Sequence, residues 1–150
     1  MTRPSSALLL LVAAVLGGCA GPSQYLKPAD GVWPRYERTP CFGPCPAFLL
    51  EVDAEGRARF HGRGHATPEG QHEAQWDAAT LRGIAEAAHQ VSLRNHAGTY
   101  DNPMVTDLPA KRLTLGATSL IDRMDGPPIG AFYDHLDSLI ARTPWVPGGL

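Results

Sequence analysis

Hydrophobic and polar positions alternate along the chain in patterns that predict its elements. Residues 7–16 read ALLLLVAAVL, ten apolar residues without a break. Phe48, Leu50 and Val52 alternate with Leu49, Glu51 and Asp53, the period-2 pattern of a half-buried strand. Asp53-Ala54-Glu55-Gly56 supplies turn chemistry, and Ala58 and Phe60 then alternate with Arg57, Arg59 and His61, which completes a β-hairpin. A third strand is expected over residues 71–75. Asp77 suits an N-cap, with Trp76 and Leu81 placed as a hydrophobic staple. The stripe of Leu81, Ile84, Ala85 and Ala88 predicts a helix over residues 78–90. Residues 96–110, rich in Gly, Pro, Asn and Asp, read as a loop. Residues 111–115 and 119–124 read as a second hairpin around Gly116-Ala117. Pro127 and Pro128 open a second helix, whose stripe of Ile129, Phe132, Leu136, Leu139 and Ile140 runs down to Arg142 before Pro144 and Pro147 end the structure.

The element order is therefore βββ-α-ββ-α. Hairpins imply antiparallel pairing, and each helix needs an apolar face to cover. The economical solution is an α+β fold: one antiparallel sheet of about five strands with both helices packed on one face. The segment before it, carrying Pro22, Pro28, Pro34 and Pro40 with no apolar period, reads as a tether. Its three aromatics, Tyr25, Trp33 and Tyr36, are expected to dock on the domain instead of standing in water. The chain thus divides into a leader (1–18), an N-terminal tether (19–37), the α+β domain (38–143) and a tail (144–150).

The apolar run is too short for a transmembrane helix, which needs about 20 residues, and fits the about 7–15 of a signal-peptide core. It ends in Leu16-Gly17-Gly18-Cys19, which resembles the bacterial lipoprotein box. The resemblance implies cleavage before Cys19 and lipidation of its thiol and amine. A doubly or triply acylated chain is stably anchored to a membrane without spanning it. Ala20 in place of Asp after the Cys points, by the enterobacterial sorting rule, to the outer membrane facing the periplasm.

Composition narrows the function classes. The 150 residues hold 13 Lys+Arg against 15 Asp+Glu, and loss of Arg3 with the leader leaves 12 basic residues. A net negative chain without a basic stripe is not a nucleic-acid binder. Its 43% apolar content separates it from disordered chains.

Cys41 and Cys45 are the thiols left after lipidation, in Pro40-Cys41-Phe42-Gly43-Pro44-Cys45-Pro46. With the strand that follows, Asp53-x-x-Gly56, Gly62 after Phe60, Tyr100 and Thr106-Asp107-Leu108-Pro109, this motif resembles a family of small bacterial domains, often lipoproteins, of unknown function. The resemblance runs from Arg38 to Ile140 and implies domain limits but no activity. The Cys pair itself admits three readings. An oxidising periplasm and the Gly43-Pro44 turn favour a structural disulfide, whose five-residue loop is worth about 2 kcal/mol in the chain-entropy model. A copper site could use both thiolates with His135 as a third ligand. Thiol redox chemistry would need a thiolate at a helix N-terminus or beside a cation, and only Arg38 is near in sequence.

The remaining candidates are weaker. His61, His65 and His72 could converge across adjacent strands on a metal. Asp101, Asp107, Asp122 and Asp125 could pair as acid and base. The segment of Tyr100, Asp101 and Asp107 is long and polar and is the second candidate binding loop. No Gly-x-Ser-x-Gly elbow or phosphate-binding glycine loop occurs in the sequence. The expectation is a membrane-anchored periplasmic lipoprotein whose small non-catalytic domain binds an envelope protein, peptidoglycan or a small ligand, without a cofactor. The alternative is a copper-binding or thiol-redox protein using Cys41 and Cys45.

Overall fold

The computed structural model describes residues 21–25 and 32–149. The leader and Cys19 lie outside them. A short 3-10 turn, Pro22–Tyr25, precedes β1 (Val32–Arg38), β2 (Phe48–Asp53), β3 (Arg57–Gly62) and β4 (Gly70–Gln75). Helix α1 (Ala78–Gln90), a 3-10 turn at Leu93–His96 and β5 (Gly98–Tyr100) follow. The chain closes with β6 (Lys111–Leu115), β7 (Thr118–Asp122), α2 (Gly130–Arg142) and β8 (Val146–Pro147). The strands form one sheet in the order β5-β7-β6-β1-β2-β3-β4-β8. Every neighbouring pair is antiparallel except β5 and β7, which run parallel.

Local chemistry accounts for the firm elements. Leu50 lies opposite Phe60 and Val52 opposite Ala58, so the alternating apolar sets of β2 and β3 share one face. At their turn the Asp53 carboxylate accepts from the backbone N–H of Glu55 (3.0 Å) and of Arg57 (2.9 Å), and Gly56 takes φ +82°. Asp77 caps α1 by accepting from Thr80 N–H at 2.8 Å. Tyr36, Leu50, Phe60, Leu113 and Leu120 bury against Ile84, Ala85 and Ala88 of α1 and Phe132, Leu136 and Leu139 of α2 in one core. The opposite sheet face is polar. In register across it stand Arg35, Glu51, Arg59 and Glu73. Arg35 pairs with Glu51, and Glu37 takes Arg63 at 3.0 Å and Arg112 at 3.4 Å.

Eight strands in a mixed sheet replace the expected five antiparallel ones, and the three extra strands come from segments read as tether, loop and tail. β1 hides its alternation behind an irregularity between Val32 and Arg35, where Trp33, Pro34 and Tyr36 are all buried. Pro34 is tolerated because pairing with β6 begins only at Arg35. The expected docking of Tyr25, Trp33 and Tyr36 is what the core contains. β5 is only three residues long, and β8 only two, too short for a period to register. The tail is held by Trp145, which stacks on Phe60 at 5.2 Å.

Candidate functional site

Strand register sends four connections out of one end of the sheet. Arg38, the last residue of β1, lies opposite Phe48 and Lys111. Phe48 lies opposite Gly62, and Asp122 opposite both Lys111 and Tyr100. Residues 39–47, 63–69, 101–110 and 123–129 therefore emerge together. The two segments singled out from sequence, 60 residues apart, thus become neighbours. Their contact is direct: Phe42 N–H donates to the Asp107 carbonyl at 3.2 Å, and Thr39 exchanges two hydrogen bonds of 2.9 and 2.8 Å with Ala110.

Each loop is braced. Cys41 and Cys45 form a disulfide with their Cα atoms 5.7 Å apart, closing the Phe42-Gly43-Pro44 turn. In the other loop, Asp101 pairs with Arg123 at 3.1 Å, and the same guanidinium donates to the Val105 carbonyl at 2.8 Å. The Tyr100 carbonyl accepts from Arg123 and Met124 N–H at 2.8 and 3.2 Å. On these braced loops stand two apolar side chains almost wholly in water, Phe42 at 96% and Met104 at 88% exposure, with Leu108 and Met124 partly exposed.

Under the loops, between the sheet and α2, lies a groove of about 280 Å³ lined by Phe48, Phe60, Ile140, Arg38, Asp137 and His65. Arg38 donates to the Tyr36 hydroxyl at 2.8 Å and pairs with Asp137. Burial raises the Asp137 carboxyl against the pull of Arg38, and burial together with the Asp137 charge raises the Tyr36 phenol. Tyr133 stacks on Tyr36 at 5.8 Å, with Lys111 Nζ 4.3 Å from its ring centre. Burial and the nearby Asp122 raise its phenol as well. Both phenols therefore stay protonated at neutral pH and act as packing and hydrogen-bonding groups. This cluster was not singled out from sequence. Its members come from β1, β6 and α2, and only two of them stood out there, Tyr36 as an aromatic in an apparent linker and Arg38 as the cation nearest the Cys pair.

A family model for a domain of unknown function, DUF6438, matches residues 35–127. The chain belongs to that family. The match begins inside β1 and stops before α2, so the DUF6438 segment holds both braced loops and strands β2 to β7. No curated protein and no solved structure matches the chain.

Within and around the DUF6438 segment the other sequence candidates separate. His61 lies opposite Gln71 and His72 opposite Phe60, so the two imidazoles are on opposite faces of the sheet, and His65 belongs to the 63–69 loop. Among the described residues no three His, Cys, Asp or Glu side chains gather as a metal site. His135 faces Gly83 of α1, and the sulfurs of Cys41 and Cys45 are bonded to each other, so the alternative reading, a copper triad, is not assembled among the described residues. The redox reading lacks its helix N-terminus, because the disulfide loop leads into β2, and Arg38 is engaged by Asp137. Asp101 is neutralised by Arg123. Asp122 packs beside Gly126 at the start of the α2 connection, and Asp125 sits at positive φ, 56°, in the same turn. What these loops can do chemically is present a shaped, apolar, acid-flanked surface.

Proposed function

We propose that this protein is an envelope lipoprotein, anchored through Cys19 in the outer membrane and facing the periplasm, whose DUF6438 domain is a non-catalytic binding module. Its binding end is the pair of braced loops, and its partner is another envelope protein. One observation carries this reading: Phe42 and Met104, each close to fully exposed, stand on adjacent loops fixed by a disulfide and an ion pair. An isolated surface apolar residue needs no explanation, but rigid apolar anchors on neighbouring loops are what a protein interface uses at its centre. Pre-fixed loops also lower the ordering cost of association. The acidic Asp107 and Asp125 at the same end favour a partner surface carrying Lys or Arg.

The test is a photoreactive side chain placed at Phe42 in the full-length protein in cells, with Arg59 on the polar sheet face as control. The expected result is one discrete adduct from position 42, lost on Met104→Asp and absent from position 59. Equal labelling from both positions, or an adduct insensitive to Met104→Asp, would remove the reading.

A further inference from the structure

Tyr25 is the feature that the loop-end reading leaves unused. Its side chain is 2% exposed and belongs to the core, against α1. Its hydroxyl accepts from Arg94 N–H at 3.2 Å, in the Leu93–His96 turn. A residue inside a supposed tether is therefore built into the domain, well before the sheet begins at Val32.

We infer that the side of the domain formed by α1 and the Leu93–His96 turn is a docking surface for the lipid bilayer, held there by the seated Tyr25. The inference rests on the lipidation of Cys19 proposed above. Tyr25 stands six residues beyond Cys19, and six residue steps reach on the order of 20 Å at full extension. Were Tyr25 unseated, the leash would run the 13 residues to Val32, on the order of 45 Å. A domain of this size is on the order of 35 Å across. The short leash is less than that diameter, so only the side bearing Tyr25 can meet the headgroups. The long leash would let any face do so.

The bilayer therefore sits on the helix side and leaves the polar sheet face free.

The experiment uses the full-length lipidated protein in vesicles of phosphatidylethanolamine and phosphatidylglycerol carrying a headgroup-linked energy acceptor. A donor is attached at Asn95→Cys, beside the Tyr25 site, or at Arg59→Cys, on the far sheet face, with Cys41 and Cys45 oxidised. Transfer is expected to be several-fold stronger from position 95 than from position 59. Tyr25→Ala should shrink that difference at least two-fold, and Tyr25→Phe, which keeps the ring, should preserve it. Circular dichroism checks that each variant is folded. Equal transfer from both positions in a protein whose intact mass includes the lipid overturns the docking alone. An intact mass without lipid overturns the anchor and the docking with it.

Discussion

At position 135 the imidazole is caught between the helices, with Nε2 4.0 Å from where a Cβ on Gly83 would sit. Burial, with Arg142 adding to it, holds its pKa below the ordinary histidine value. The folded protein thus takes up this proton less readily than the unfolded chain. As pH falls through about 6.5, the unfolded state binds more protons and stability drops. Denaturant midpoints measured from pH 7.5 down to 5.5 should fall, and His135→Gln should flatten the fall. An unchanged slope in the variant would assign it elsewhere. Asp137, raised by burial, acts with the opposite sign. Gly62 is a second position where one residue decides. A Cβ there would lie 1.9 Å from the Pro68 carbonyl oxygen, in backbone that cannot swing away. Gly62→Ala should cost about 1–3 kcal/mol in equilibrium unfolding, by overpacking. A neutral result would mean that residues 63–69 yield freely.

At the scale of elements, legibility tracked length and period. α1 and β6 have the bounds that their patterns predict, because a 13-residue stripe or an alternating strand after a polar loop has few competing readings. β1 was hidden because Pro34 and the irregular pairing broke its alternation, although its core residues Trp33 and Tyr36 were visible as aromatics. The disulfide loop is an element of a different kind, five residues fixed covalently and by one backbone hydrogen bond to Asp107. Replacing Cys41 and Cys45 together by Ser should lower stability by about 2 kcal/mol without unfolding the sheet. Amide exchange at Phe42 should accelerate while Leu50 and Phe60 stay protected. Loss of cooperative unfolding in the double variant would show the bridge to be a condition of the fold itself.

At the scale of the molecule, β1 is the strand that makes one sheet of two groups. On one side lie β2, β3, β4 and β8, and on the other β6, β7 and β5. A chain beginning at residue 38 therefore lacks the bridge, whereas one beginning at residue 32 keeps it. The first should give no dispersed amide spectrum and the second a folded one, less stable for want of Tyr25. A folded fragment from residue 38 would mean that β2 and β6 pair directly. The same topology explains why the candidate site was only half legible. Both loops could be singled out by composition, one by its Cys pair and one by its Gly, Pro, Asn and Asp. Their meeting depends on which strand ends share an edge, and no local pattern encodes that.

Sequence alone determined the hairpins, both helices with the Asp77 cap, the apolar set of the core and the resemblance of the N-terminus to a lipoprotein leader. These are consequences of periods and end signals within a dozen residues. Tertiary structure decided the rest: the three extra strands, the parallel pairing of β5, the separation of His135 from Cys41 and Cys45, and the joining of residues 39–47 to residues 101–110. It decided them because short strands and loop contacts gain their stability from partners far along the chain, and the identity of a distant partner is a property of the packed whole.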